Sequence, residues 1–156
     1  MPHPELVVAP TPREGATSPF ERIMVAVADD PSSTAAVRLA AVLAARTDAE
    51  VLAVHVSCRD VPCCGPSATD CGLRGADLSL DKAVRDLAVA GVRHRAERRQ
   101  ALDDRLLEAL VAAADEYDAD LVIVGCRRRP GLRGRFRRSL GLRLAERTSR
   151  SVLLVC

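Results

Sequence analysis

Residues 119–155 constrain the fold more than any other stretch of this chain. The run Leu-Val-Ile-Val at 121–124 is short, apolar and rich in β-branched residues. Such a run suits a strand buried on both faces, as in a parallel sheet. Gly125 ends it and permits a sharp turn. An arginine-rich connection follows, with Ser139 near the start of a helical pattern through Leu140, Leu144 and Arg147. Val-Leu-Leu-Val at 152–155 then returns as a second buried strand. The unit is strand, helix, parallel strand, and right-handed by the general chirality rule. A strand end, a turn and a helix start with a hydroxyl make an anion site, because backbone N–H groups converge there.

The rest of the chain repeats this alternation. Residues 1–19 hold Pro, Thr, Ser and Glu without periodicity and read as a flexible tail. The domain is assigned to 20–156. Residues 22–28 form the first predicted strand, and Ser32 or Ser33 is the expected cap of the helix after it. Ala36, Val37, Ala40, Leu43 and Ala44 recur at helical spacing. Residues 51–56 are a second strand. His55 alternates there with Val54 and Val56, which places it on the opposite side and reads as a packed or surface residue. Residues 57–78 are expected to be a long loop, 80–89 a helix ended by Gly91, and 92–98 a polar edge strand. Asp103 or Asp104 is the expected cap of a third helix whose apolar face carries Leu107, Leu110, Val111 and Ala114. Strands alternating with helices predict an α/β fold, a parallel sheet with helices on both faces.

Three pieces of this pattern resemble the universal stress protein family. The first is 120–125, Ser139 and 152–155, which are similar to the C-terminal half of such a domain. ATP-binding members carry Gly-x2-Gly-x9-Gly-Ser there. This chain keeps the spacing, with Gly125 and Ser139 matching and Arg128 and Arg138 at the second and third glycine positions. The second is the opening strand and helix. The family has an Asp that contacts the adenine side of the nucleotide where this chain has Ala28; Asp29 stands one residue later. The third is Val56, at a position that packs near the adenine. The resemblance implies a doubly wound, Rossmann-like five-stranded parallel sheet of order 3-2-1-4-5. Its ligand crevice lies between strands 1 and 4, beyond their C-terminal ends. The cofactor-binding residues it implies are Asp29, Val56, Gly125, Arg128, Arg138 and Ser139. ATP or another nucleotide is the implied ligand, held weakly and with little preference for adenine over guanine. A homodimer through the last strand is the implied assembly.

Charge narrows the partners. The net charge is only +2, yet residues 125–150 hold ten arginines against one acid, Glu146. That local excess of +9 leaves −7 on the remainder, so this stretch attracts anions. A phosphate-bearing ligand, a nucleic acid or other polyanion, and a plain solvated basic surface all fit it. Only three aromatics occur, and Phe136 alone lies near the arginines, which gives little platform for stacking bases. No nucleophile elbow, Walker A loop or His-Glu-x-x-His motif is present, and no catalytic residue is assigned.

No apolar run is long enough to span a membrane, and the N-terminus lacks a secretion-signal pattern, so a cytoplasmic setting is expected. Cys58, Cys63, Cys64 and Cys71 invite a metal or redox reading. They lack Cys-x2-Cys spacing, however, and adjacent cysteines fit one tetrahedral ion poorly. Reduced thiols in a variable loop, with no metal, is the expectation. The sequence therefore predicts a regulatory or stress-response domain that acts through a ligand or partner rather than by turnover. The alternative is a dimeric interaction module without nucleotide.

Overall fold

The computed structural model describes residues 18–58, 68–102, 105–126 and 140–156. Five strands and four helices alternate along them: β1 (Arg22–Ala26), α1 (Pro31–Thr47), β2 (Glu50–Cys58), α2 (Ala68–Val89), β3 (His94–Ala101), α3 (Leu106–Tyr117), β4 (Leu121–Gly125), α4 (Leu140–Arg147) and β5 (Ser151–Val155). The strands form one sheet of order β3-β2-β1-β4-β5, every pair parallel. This is the doubly wound order that the family resemblance implies.

Period-two alternation sorts the strand residues between two cores. Ile23, Val25, Val51, Ala53, Leu121 and Ile123 face one side with Ala36, Val37, Ala40 and Ala44 of α1 and Leu80, Ala83 and Leu87 of α2. Met24, Leu52, Val54, Val122 and Val124 face the other, against Leu107, Leu110, Ala113 and Ala114 of α3 and Leu144 of α4. Alanines on α1 and α3 let both helices lie close to the sheet. Each fully buried Val, Leu or Ile contributes roughly 1.5–3 kcal/mol.

Two helix-to-strand turns use the same device. Thr47-Asp48-Ala49-Glu50 and Tyr117-Asp118-Ala119-Asp120 each place the Asp in the left-handed region, at φ 54° and 55°. Aspartate tolerates this conformation better than most residues. In each turn the following alanine is buried and donates its N–H back into the helix, Ala49 to Ala44 O and Ala119 to Ala114 O. Asp120 then ties β4 to β1, its Oδ2 accepting from the N–H groups of Glu21 and Arg22 at 2.9 Å each.

Several local expectations are corrected. The cap of α1 is Asp30, whose Oδ1 accepts from Ser33 N at 2.9 Å, with Pro31 at the first helical position. The Ser33 hydroxyl is engaged elsewhere, accepting from Ala28 N at 2.8 Å. The N-cap of α3 is Arg105, without a side-chain cap bond, while Asp103 and Asp104 lie outside the described residues. Helix α2 begins at Ala68, inside the expected loop. Gly72 and Gly75 spoke against helix there, but extending a helix that packing already stabilises costs far less than starting one. Strand β3 sits two to three residues later than expected, and β1 ends at Ala26, although Val27 N still reaches Val54 O.

The polar edge strand β3 is held by ion pairs. Arg95 Nε lies 2.8 Å from Glu50 Oε1, and Arg99 reaches both Glu97 and Glu116. Burial pushes the Glu50 carboxyl up. Hydrogen bonds from Arg95 and Tyr117 and the charges of Arg95 and Arg93 outweigh that and hold it below its ordinary value. Its folded-state pKa is depressed, so its stabilising contribution is complete above the unfolded carboxylate range and disappears as pH falls through the folded value. We expect denaturant midpoints to drop as pH is lowered from 6 to 3, at about the range of carboxylate protonation. In Glu50→Gln that drop should be smaller.

Candidate functional site

The strands end at one edge of the sheet, and a cavity opens there between β1, β2 and β4. Its volume is about 360 Å³, within the range of small-ligand sites. Ala26, Val54, Val56, Leu106, Leu110, Val124 and Leu140 give it apolar walls. Ala28, Asp30 and Ser33 bring in the end of β1 and the first turn of α1. Gly125 and Cys126 bring in the end of β4, and Gly141 the start of α4. This is the topological switch point, where β1 leads away to β2 on one side and β4 to β5 on the other.

Two glycines make the enclosure possible. A Cβ on Gly125 would lie 2.6 Å from Ser32 C and Ser33 N, so the end of β4 abuts the first turn of α1. Those are backbone atoms and cannot swing aside. A Cβ on Gly141 would lie 2.1 Å from Leu154 Cδ2, so α4 rests directly on β5.

The polar groups of the cavity are few. The Asp30 carboxylate serves the helix cap and also accepts from the Ser32 hydroxyl. Ser33 is 3% exposed, the one buried polar residue among those described. His55 also borders the cavity, at the end of β2. His55 Nδ1 lies 2.8 Å from Val27 O. A carbonyl only accepts, so Nδ1 carries the proton and a neutral ring keeps Nε2 as an acceptor.

The structure brings Val56 and Gly125 together here as expected, along with Ala28. Asp29 is not among the cavity's lining residues. It lines a more polar groove of about 500 Å³ between α1 and α2, with Arg38, Lys82 and Asp86. Arg128, Arg138 and Ser139 lie outside the described residues, as do the side chains of the Cys58, Cys63, Cys64 and Cys71 group. Among the described residues no cluster of three or more His, Cys, Asp or Glu could hold a metal ion, and no helix is long and apolar enough to cross a membrane.

One feature of the site escaped the sequence reading. Cys126 and Cys156 are joined in a disulfide, with Cα atoms 4.9 Å apart. They are the residues immediately after β4 and β5, and Gly125 pairs with Val155 in the ladder. The signal was present as two cysteines, each one step past the end of adjacent parallel strands, whose spacing of roughly 4.8 Å suits a crosslink.

The universal stress protein family model matches residues 19–155. The chain belongs to that family. A universal stress protein solved in complex with cAMP is 25% identical, with a TM-score of 0.70, over 89% of this chain and 99% of that one. A family member from Burkholderia pseudomallei is 24% identical, with a TM-score of 0.68, over 88% and 97%. A universal stress protein from Archaeoglobus fulgidus in complex with dAMP is 20% identical, with a TM-score of 0.65, over 88% and 98%. No curated protein matches the chain.

The close approach at Gly125 gives a direct test of this geometry. Gly125→Ala should destabilise the fold by about 1–3 kcal/mol, the usual cost of forcing atoms into a packed site. Gly91→Ala is the control for positive φ, since its Cβ would meet nothing within 4 Å. Denaturant unfolding of both variants, with the cavity probed by an environment-sensitive dye, separates crowding from backbone strain.

Proposed function

We propose that this universal stress protein binds a nucleotide or a related phosphate-bearing molecule in the β1/β4 cavity, and acts by binding rather than turnover. The observation that carries this reading is the cavity itself. It has apolar walls and a volume of about 360 Å³, and the first turn of α1 stands at its edge, where a helix N-terminus favours negative charge. The solved relatives with cAMP and dAMP support the choice of ligand class. Ala28 presents no carboxylate to a base, and Arg128 and Arg138 replace backbone freedom with charge. A non-glycine residue forced into the left-handed region costs about 1–2 kcal/mol. A charge-assisted hydrogen bond from a guanidinium to phosphate returns about 1.5–3 kcal/mol. Affinity on this reading is weak and salt-sensitive, in a regulatory or stress-response role in the cytoplasm.

Calorimetric titration with ATP, GTP and cAMP at two salt concentrations tests this. Binding should weaken as salt rises, with ATP and GTP similar. Val56→Glu should abolish it, by placing a carboxylate against the base. Absence of any heat with about 1 mM nucleotide would leave the reading without support and favour an interaction module instead.

The assembly proposed with it is a homodimer through β5. This strand is at the sheet edge, and Leu154 is 36% exposed. A second copy would cover the edge by an isologous contact. Light scattering at micromolar concentration should give a dimer, and Val152→Pro, which removes a ladder donor, should give a monomer.

A further inference from the structure

We propose that Cys126–Cys156 is a reversible thiol–disulfide site that sets the ligand affinity of the β1/β4 cavity. The inference rests on the binding reading above for its readout, and on the crosslink for its chemistry.

The two sulfurs are placed unequally. Cys126 is half-buried and lines the cavity, directly after the glycine that abuts α1. Cys156 is exposed and is not among the lining residues. An incoming thiolate therefore has access to Cys156 Sγ, with Cys126 as the leaving sulfur. A low-molecular-weight thiol such as glutathione is the co-reactant. Its thiolate attacks Cys156 Sγ, the protein S–S bond breaks, and Cys126 departs as a thiolate that takes a proton from water. A second glutathione thiolate attacks the glutathione sulfur of the mixed disulfide and releases the Cys156 thiolate, which is protonated in turn. The protein disulfide has become two thiols, and two glutathione molecules have become glutathione disulfide; the reverse sequence closes the bond. In a cytoplasmic setting, a disulfide that persists is characteristically one that cycles.

The crosslink is coupled to the cavity through described contacts. Cys126 N donates to Val155 O at 2.7 Å, so the first residue past β4 is fastened to β5 by a hydrogen bond and by the disulfide. The Leu154 side chain of β5 packs against Gly141 of α4, its Cδ2 lying where a Cβ on that glycine would stand, and Gly141 and Leu140 line the cavity. Closing the bond fixes the end of β5 against β4, and with it the α4 wall. Opening it leaves β5, a five-residue edge strand, with ladder pairing and packing alone. The oxidised form is then the pre-organised binder.

Linkage makes the test quantitative. If oxidation tightens nucleotide binding by a given factor, bound nucleotide must make the disulfide harder to reduce by the same factor. The full chain is equilibrated in glutathione buffers of graded ratio, then acid-quenched and alkylated. Peptide mass spectrometry reads the Cys126–Cys156 crosslink separately from the other four cysteines. The same titration is run with saturating ATP. In parallel, ATP affinity is measured on the fully oxidised and fully reduced protein and on Cys156→Ser. We expect oxidised protein to bind about tenfold more tightly and the glutathione midpoint to shift by that factor with ATP. Cys156→Ser should behave as the reduced form in every buffer. A crosslink that survives all glutathione ratios, one that never forms, or equal affinity in the two forms would overturn the proposal. If neither form binds any nucleotide, the binding reading fails by itself. Hydrogen exchange then decides the switch: faster exchange at the Cys126 amide and across 140–147 on reduction upholds it, and unchanged exchange overturns it.

Discussion

The crevice depends on a contact that only glycine permits. At Gly125 the end of β4 meets the backbone of Ser32 and Ser33 at a distance where any side chain would collide. That approach sets α1 directly over the β1/β4 pair, aligned by the register Ile23 with Leu121 through Ala26 with Val124. It also brings Asp30 and Ser33 to the rim of the cavity. The cap of α1 and the shape of the site are therefore one arrangement. Asp30 holds the first turn through Ser33 N, and Ser33 in turn holds Ala28 N at the end of β1. Loss of the glycine would disturb strand, cap and cavity together.

Much of this was legible in the sequence. The apolar runs at 121–124 and 152–155 located β4 and β5 almost to the residue; β4 is buried as expected, whereas β5, at the sheet edge, is only half-buried and corrects the expectation of a second buried strand. Ala28 and Gly125 were placed together at the crevice by the strand order. What failed was local. Three polar residues compete to cap α1, and sequence alone does not say that Pro31 fixes the helix start two or three places earlier than the serines suggest. Helix α2 was shortened in the reading because two glycines weaken a local signal that packing at Leu80, Ala83 and Leu87 sustains.

The sheet also separates two kinds of stabilisation. The centre, β1 and β4, is apolar on both faces and needs no charge. The β3 edge is the reverse, with arginines at 95, 98 and 99 paired to acids on β2, α2, α3 and β3 itself. Such exposed pairs add little each. They do keep an edge strand charged, which opposes pairing with a foreign strand. The β5 edge has no such charges within the strand, its residues being Ser, Val, Leu, Leu and Val. The two edges are therefore chemically unlike, and only one of them is suited to meet a copy of itself.

That asymmetry gives the crosslink its physical meaning. Strand β5 is short, half-buried and joined to the sheet along one side only. The disulfide continues the β4–β5 ladder by one covalent rung, from Gly125 paired with Val155 to Cys126 bonded to Cys156. It closes a ring whose ends are 30 residues apart in sequence. In the chain-entropy model a ring of that size restricts the unfolded chain by roughly 3–4 kcal/mol. That is comparable with burying one or two further apolar side chains. The ring contains the whole arginine-rich connection between β4 and α4. That stabilisation acts through the unfolded chain and favours the folded domain as a whole, while the bond itself sits beside the cavity, through Cys126 at the end of β4.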